Sequence, residues 1–260
     1  MLHGRGMRMS IKIENVEVSG WEAAIRGARN LMNSWKDSDS RFFEYGSSEG
    51  DGEYSHYHTL QKERVTLPAA EGGDSLRHLI GQDDYMLLMN MSKGGSEESK
   101  WRRMIHVQLD ITAPLYWWKE FDTYKVGTVS NSCSTMRTIH EKEFTKDDFS
   151  CEYLLPEPGC LAEYAGGDGS PAEVLQLTVD MLNAARAAYL KTKDKKYWWQ
   201  LIQLLPSSYN QRRTIDLNYE VLRSQYRERR NHKLDEWRKY CDFIRELPYS
   251  EFITLREDMY

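Results

Sequence analysis

The chain has 260 residues, of which 40% are apolar and 12% aromatic, which suits one domain or two small ones with a substantial core. Its formal net charge of -5 argues against broad electrostatic binding of nucleic acid, and no run of about 18 apolar residues is present that would cross a membrane. Residues 1–10 lack the apolar core of a signal peptide, so we expect a cytoplasmic protein with a flexible N-terminus.

The cysteines and one histidine pair carry no metal-binding pattern. The cysteines are Cys133, Cys151, Cys160 and Cys241. They show no C-x-x-C spacing, so in a cytosolic chain we expect free thiols. His56 and His58 form a lone H-x-H for which no further ligands can be named, and we interpret them as exposed loop histidines. The sequence therefore predicts no metal site.

The N-terminal part reads as a strand followed by helices and a long loop. Residues 11–18 alternate apolar and polar side chains and predict a strand. Apolar residues at helical spacing predict a helix over residues 21–35. Residues 38–73 are rich in Ser, Gly, Asp and Tyr and predict a loop, and residues 75–91 predict a second helix.

The middle of the chain carries the densest group of candidate ligand residues. The run 104–111 predicts a half-buried strand, and Pro114 suits the first turn of a helix over residues 115–122. A polar triplet, residues 123–125, precedes a hydroxyl-rich loop, residues 126–135. Polar side chains at the end of a packed helix are a common way to build a ligand site. The candidates are Glu120, Asn131, Ser132, Ser134 and Arg137.

Two further elements are predicted after this loop. Residues 137–144 are interpreted as another strand. Ser170 as N-cap, Pro171 at the first helical position and Glu173 at the third predict a helix that runs to about Lys191. Its apolar stripe is assigned to Val174, Leu177, Thr178, Met181, Leu182, Ala185 and Tyr189.

The middle stretch resembles the core motif of the flavin-dependent thymidylate synthases, the ThyX family. In that family a strand leads through Ala-Pro into a helix with a Gln near its end, then to Arg-His-Arg and, after a spacer, to Asn-Glu-x-Ser-x-Arg-Tyr. Here Ala113-Pro114 match, Glu120 stands at the Gln position, and Thr123-Tyr124-Lys125 replace Arg-His-Arg. The Asn, Ser and Arg are echoed, with a short insertion, by Asn131, Ser134 and Arg137.

The last third resembles the same family. Residues 213–230 form a basic amphipathic segment, which by itself favours a solvated helix face. Leu205-Pro206 match the family's Leu-Pro, and gap-free spacing places Asp216 and Asn218 at the Asn and Arg of Thr-x-Asn-x-Arg. Arg227 matches the nucleotide-binding Arg. The family's phosphate-binding Arg before Leu-Pro is missing.

The resemblance implies a set of site residues. The catalytic positions are Ser134 and Arg137. The cofactor positions are Ser99, Lys100, Tyr124, Lys125, Asp216, Asn218, Leu222 and His232. The substrate positions are Glu120, Asn131, Ser132, Ser134, Arg137 and Arg227. The arginines available to replace the missing ones are Arg102, Arg103, Arg212 and Arg213.

The resemblance also implies the fold, the partners and the chemistry. The fold would be α+β, a mixed or antiparallel sheet flanked by long helices, in a single domain over residues 11–245 with a C-terminal tail over residues 246–260. The expected activity is reductive methylation of a pyrimidine nucleotide by a homotetramer with shared active sites, using FAD, methylene-tetrahydrofolate and NADPH. Two alternatives stay open: a flavin- or nucleotide-binding member of the fold without thymidylate synthase activity, and an oligomeric structural or interaction protein.

Overall fold

The structure, a computed structural model, describes residues 11–40, 65–66, 80–95 and 97–255, without the side chains of residues 65, 66 and 165. The predictions for residues 1–10, for His56 and His58 and for most of the 38–73 loop lie outside this range. The fold is α+β with an antiparallel sheet, as predicted.

The described strands form one five-stranded sheet. They are Lys12–Ser19 (β1), Val65–Thr66 (β2), His106–Pro114 (β3), Thr128–Ser132 (β4) and Asn210–Asn218 (β5). Their order is β2-β1-β3-β5-β4, and β1 pairs with β2 in antiparallel register. In β3, Val107, Leu109 and Ile111 are buried and alternate with more exposed neighbours, which confirms the strand predicted from the period of two.

The helices of the described residues lie between and after these strands. They are Trp21–Asn30 (α1), Gln82–Ser92 (α2), Leu115–Phe121 (α3), Thr135–Thr138 (α4), Ala162–Ala165 (α5), Pro171–Thr192 (α6), Lys195–Leu204 (α7), Tyr219–Arg229 (α8), Asp235–Glu246 (α9) and Glu251–Thr254 (α10). The predicted capping box of α6 is present, because Glu173 N–H donates to Ser170 Oγ at 3.2 Å and Ser170 N–H donates to Glu173 Oε2 at 2.8 Å.

Several predicted elements differ from the structure. The strand predicted over residues 137–144 is wrong, because α4 ends at Thr138 and no strand follows it within that range. The loop predicted over residues 126–135 instead contains β4, whose side chains are nearly all exposed, so no alternation marks it. The first helix ends at Asn30 rather than residue 35. The basic segment 213–230 changes from strand to helix at Asn218.

The long helix α6 has two apolar faces rather than the one predicted. Leu182 and Ala185 of the predicted stripe are buried, whereas Val174, Leu177 and Met181 are exposed. The buried face packs with a cluster that contains Ile139, Phe144, Phe149, Leu175, Val179, Leu182, Ala185 and Leu201. Spacing alone placed the apolar residues on the helix but did not indicate which of them are covered.

The described residues group into two compact units, each discontinuous in sequence. The first contains residues 111–123 and 131–213, with α3, α6 and α7. The second contains residues 13–110, as far as they are described, 124–130 and 214–255, with α1, α2, α8, α9 and α10. The single domain over residues 11–245 stays a prediction.

Residues 247–254, in the segment assigned to the C-terminal tail, pack in the second unit. Leu247, Phe252 and Ile253 are buried. The Phe252 ring stacks on the Tyr249 ring at 5.9 Å and meets the Trp101 ring edge-on at 5.1 Å. These contacts make the segment part of the aromatic core of that unit.

The described part of the chain contains no helix that is both long and apolar enough to cross a membrane.

Candidate functional site

The helix α3 determines where the Thr123-Tyr124-Lys125 triplet begins. Its Trp118 and Phe121 are fully buried, so this face of the helix is fixed by packing. The helix ends at Phe121, and Thr123 Oγ1 donates to the Glu120 carbonyl at 2.7 Å. The triplet thus follows the last turn directly, as the sequence predicted, and Tyr124 starts the stretch that belongs to the second unit.

Tyr124 and His232, two predicted cofactor residues from distant parts of the chain, lie in one cluster. Arg229 Nε donates to the Tyr124 hydroxyl at 2.9 Å, and the Arg229 guanidinium lies 4.9 Å from the centre of the Trp237 ring. The Trp237 ring is 6.1 Å from the Tyr124 ring and 6.3 Å from the His232 ring, both edge-on. We call these four residues the aromatic cluster.

The ends of α8 and α9 build this cluster. Arg229 is the last residue of α8, His232 lies in the turn, and Trp237 is buried in the first turn of α9. Leu234 N–H donates to His232 Nδ1 at 3.2 Å, so the neutral imidazole carries its proton on Nε2. The sequence pointed to Tyr124 and His232 but not to Arg229, because only the tertiary fold brings this arginine to Tyr124.

Tyr240 of α9 contacts the cluster and forms a hydrogen bond to α8. Its ring contacts Trp237 at 5.7 Å, and its hydroxyl donates to Gln225 Oε1 at 3.0 Å. Burial raises the pKa of Tyr240 well above its usual range, so the hydroxyl stays a donor at all physiological pH values. Burial also raises the pKa of the neighbouring Cys241 thiol to about 12. None of the four cysteines, all within the described part of the chain, is in a disulfide bond, in agreement with the thiols expected from the sequence.

Asn218 has a structural task beside its predicted cofactor contact. Its Oδ1 accepts from Glu220 N–H and Val221 N–H, both at 3.1 Å, and so caps α8. Gly127 approaches the same side chain: a Cβ at Gly127 would lie 2.9 Å from Asn218 Nδ2, and its φ is +80°. Glycine at 127 therefore allows the turn after the triplet to lie against the start of α8.

The other predicted cofactor residues of the second unit are dispersed. Ser99 is buried and donates to the Met91 carbonyl at 3.1 Å, and Leu222 is buried in the core. Asp216 contacts His106 Nδ1 at 3.1 Å. Lys100 is exposed and pairs with Glu97, and Lys125 is exposed. Each side chain has a described position, and Lys125 directly follows Tyr124 of the aromatic cluster in the chain.

Arg227 is the predicted nucleotide ligand that lies on the surface of α8. Its side chain is 60% exposed, and its guanidinium is 3.2 Å from the carboxylate of its neighbour Glu228. An exposed pair of this kind contributes little to stability. The guanidinium can therefore exchange this carboxylate for another anion at small cost.

In the first unit, the predicted substrate residues other than Glu120, which is half-buried on α3, form an exposed segment, residues 131–137. Asn131, Ser132, Ser134 and Arg137 all have exposed side chains. The Ser134 carbonyl accepts from Arg137 N–H at 2.9 Å, so the Ser and Arg are fixed relative to each other by the single turn of α4. These residues are close in sequence, and the structure keeps them together.

Gln211 links this segment to α3, a role that sequence reasoning missed. Its Nε2 donates to Thr135 Oγ1 at 2.9 Å and to the Cys133 carbonyl at 3.3 Å. Its Oε1 accepts from Arg213 Nε at 2.8 Å. Arg213 also donates to Asp122 Oδ1 at 2.7 Å and lies 4.3 Å from the Trp118 ring centre. Gln and Arg at i and i+2 on a strand share one face, which is the only local signal for this link.

Two of the arginines considered as replacements for the missing phosphate ligands already have partners. Arg102 is buried and donates to Glu220 Oε2 at 3.1 Å and to the Ser92 carbonyl at 3.0 Å. Arg213 is held by Asp122, as described above. Both guanidinium groups therefore serve the fold, and a new anion would have to displace these partners.

Comparison with known proteins supports the fold predicted from the motifs. No protein-family model and no curated protein matches the chain. Among solved structures, ThyX from Helicobacter pylori complexed with FAD and dUMP aligns with a TM-score of 0.58 and 14% identity, over 96% of this chain and 99% of that chain. A second structure of that enzyme with FAD and dUMP aligns with a TM-score of 0.58 and 13% identity, over 95% and 98%.

A third match adds a different nucleotide-modifying protein. The UMP/dUMP methylase PolB from Streptomyces cacaoi, bound with 5-Br dUMP, aligns with a TM-score of 0.52 and 15% identity, over 95% of this chain and 96% of that chain. All three alignments span nearly the whole of both chains. The protein therefore has the fold of these flavin-dependent thymidylate synthases and of the UMP/dUMP methylase PolB.

Proposed function

We propose that this protein is a cytoplasmic flavoenzyme that reductively methylates a pyrimidine nucleotide, with FAD as cofactor, methylene-tetrahydrofolate as the one-carbon donor and NADPH as the reductant. The observation that carries the proposal is the aromatic cluster. In this cluster Tyr124 and His232, two of the residues that the resemblance assigned to the cofactor, both lie against the Trp237 ring.

The side chains of the cluster fit a flavin. Tyr124 and His232 are half-buried, so each has ring surface open to a ligand beside the buried Trp237. Lys125 adds an exposed positive charge next to Tyr124, which suits a ligand that carries a pyrophosphate. When bound, FAD supplies the hydride that completes the methyl group. The protein itself would orient the ligands and place positively charged side chains near their phosphates.

The hydrogen bonds of the cluster hold this surface in place before a ligand arrives. Arg229 fixes the Tyr124 hydroxyl, and the Leu234 amide fixes the His232 ring, so neither ring has to be ordered on binding. Preorganisation of this kind lowers the entropic cost of association. With Nδ1 accepting, the neutral His232 ring carries its proton on Nε2.

The nucleotide phosphate would be held by Arg227 of one subunit and by residues 131–137 of another, in a homotetramer. Ser134 and Arg137 are the proposed catalytic positions, and Glu120, Asn131 and Ser132 the further substrate contacts. Gln211 would hold this segment in position through its hydrogen bond to Thr135. The carboxylate of Glu120, where the family has Gln, would repel the dianion and weaken its binding.

Loss of the arginines favours a changed substrate. Thr123 cannot bind a phosphate as an arginine does, and Lys125 supplies charge without the bidentate geometry. Each charged hydrogen bond that is not replaced costs about 1.5–3 kcal/mol. We therefore expect weak thymidylate synthesis from dUMP. The same substitutions support the second candidate, a flavin- or nucleotide-binding protein without this activity.

Turnover tests the proposal. The purified protein with FAD, NADPH and methylene-tetrahydrofolate is offered a panel of pyrimidine nucleotides, and methylated product is measured by mass spectrometry. We expect that one nucleotide of the panel yields more methylated product than dUMP does. Flavin binding without methylation of any nucleotide would favour the second candidate. Full growth of a synthase-deficient strain without thymidine would show that the lost arginines are compensated.

A further inference from the structure

The exposed face of α6 carries an apolar stripe with nothing described against it. Val174, Leu177 and Met181 are exposed by 62%, 63% and 51%. Ala184, Ala188 and Lys191 continue the same line toward the end of the helix. The spacing alternates three and four residues throughout, which is the pattern of the contact positions in paired helices. We call these six residues the α6 stripe.

The buried face of α6 is already used within the first unit. Leu175, Val179, Leu182 and Ala185 are buried, and they belong to the cluster that includes Leu201 of α7. The stripe therefore adds nothing to the core of its own unit. A line of three large apolar side chains more than half exposed, on a helix of 22 residues, is a surface that association would cover.

The size gradient along the stripe indicates which partner fits it. The large side chains Val174, Leu177 and Met181 occupy the first half, and the small Ala184 and Ala188 occupy the second. When two such helices pair antiparallel about a point between 181 and 184, Leu177 faces Ala188 of the other copy and Met181 faces Ala184. Leu177 and Met181 then each meet a small side chain, which is the complementarity a close helix contact needs, and Val174 faces Lys191.

The charge gradient leads to the same arrangement. The exposed acids Glu173 and Asp180 lie in the first half of α6, and the exposed Lys191 and Lys193 lie at its end. Antiparallel pairing brings Glu173 of one copy beside these lysines of the other, whereas parallel pairing would place like charges together. A surface complementary to itself under a two-fold rotation is the signature of an isologous contact.

We propose that the α6 stripe binds the α6 stripe of a second copy of this chain in antiparallel orientation. The proposal rests on α6 alone and goes beyond the proposed chemistry. It locates a subunit contact, names its central residues as Leu177 and Met181, and sets its register.

The first test measures association by sedimentation velocity without flavin or nucleotide, so its outcome is independent of the enzymatic proposal. Leu177→Asp should raise the dissociation constant about thirtyfold or more, as expected when a central anchor is lost. The matched control is Leu31→Asp, at a position 69% exposed beyond the end of α1, which should associate like the wild type. Thermal melting of both variants checks that neither unfolds the subunit.

The second test fixes the orientation by oxidation, in a background in which the exposed Cys133 is replaced by Ser. The double variant Leu177→Cys with Ala188→Cys should form an intersubunit disulfide. Leu177→Cys alone should not, because antiparallel pairing sets the two 177 positions about 16 Å apart along the axis, too far for a disulfide. A monomeric wild type, a Leu177→Asp variant that associates as tightly as the wild type, or efficient cross-linking of the single variant would each overturn the proposal.

Discussion

The aromatic cluster and the 131–137 segment are held in different ways. In the cluster, packing of the buried Trp237 and a hydrogen bond between Arg229 and Tyr124 fix the side chains. In the segment, the chain is fixed through Gln211 and the backbone of α4, while Asn131, Ser132, Ser134 and Arg137 extend into solvent. Replacements in the first region should therefore cost stability, and replacements of exposed ligand residues should cost binding.

Trp237→Ala should give the largest loss of stability. The side chain is fully buried between α8, α9 and Tyr124, and removal of a buried tryptophan typically costs about 3–5 kcal/mol. Urea unfolding measures the change. Trp199→Ala, at a position 44% exposed on α7, is the control and should cost less than about 1 kcal/mol. Similar losses for both would break the distinction between packed and exposed groups.

Asp84→Asn tests how much stability a buried carboxylate outside the candidate site contributes. Asp84 is fully buried, contacts Arg29 Nε at 2.7 Å and accepts from the Ser38 and Ser40 hydroxyls at 2.6 Å. Removing one partner of such a pair leaves a buried charge and should cost about 3 kcal/mol at neutral pH.

The cost of Asp84→Asn should depend on pH. Burial acts to raise the pKa of Asp84, but the hydrogen bonds from Ser38 and Ser40 and the charge of Arg29 outweigh it and leave the pKa below its usual range. A depressed pKa means that the stabilisation is fully present above the unfolded pKa of about 4 and is lost as the pH falls through the folded pKa. Unfolding free energies of variant and wild type should therefore converge in acid. A constant difference at all pH values would contradict this origin.

Asn218→Ala should cost about 1 kcal/mol, because α8 loses its N-cap. Asn218→Asp keeps the capping oxygen and should retain most of the stability. If Asn218 also contacts the cofactor through its Nδ2, both variants should bind FAD more weakly. Unchanged FAD affinity in both variants, with loss of stability in Asn218→Ala alone, would limit Asn218 to the structural role.

Arg227→Ala should leave the unfolding free energy within about 0.5 kcal/mol of the wild type, since its side chain is exposed. Loss of a charged contact to a desolvated anion costs about 2–5 kcal/mol, so nucleotide binding measured by calorimetry should weaken at least tenfold. Arg26→Ala, at an exposed arginine on α1, is the control. Equal nucleotide affinity in the Arg227 and Arg26 variants would remove Arg227 from the site.

Local signals made parts of this structure predictable. The period of two in β3 and the Ser170-Pro171-Glu173 start of α6 each depend on neighbours in sequence, and both are confirmed. β4 was missed because its hydroxyl-rich side chains are exposed at the edge of the sheet and leave no apolar alternation.

The candidate site was predictable only in part, for a different reason. The family resemblance gave Tyr124 and His232, and both rings lie against Trp237. Arg229 and Gln211 act through partners far away in sequence, so nothing in their local sequence indicates their roles. The exposed apolar residues of α6 show the same limit, because helical spacing locates apolar side chains without indicating which of them the subunit buries.

The most direct test of the flavoprotein proposal is a titration of the apo-protein with FAD, followed by quenching of the flavin fluorescence. The wild type should show saturable binding. Tyr124→Ala and His232→Ala should each bind at least about tenfold more weakly, the loss expected for one removed contact of about 1.4 kcal/mol, while remaining folded. The control Tyr153→Ala, at a position 70% exposed in the first unit, should bind like the wild type. No quenching with the wild type, or equal affinity in all four proteins, would contradict the account.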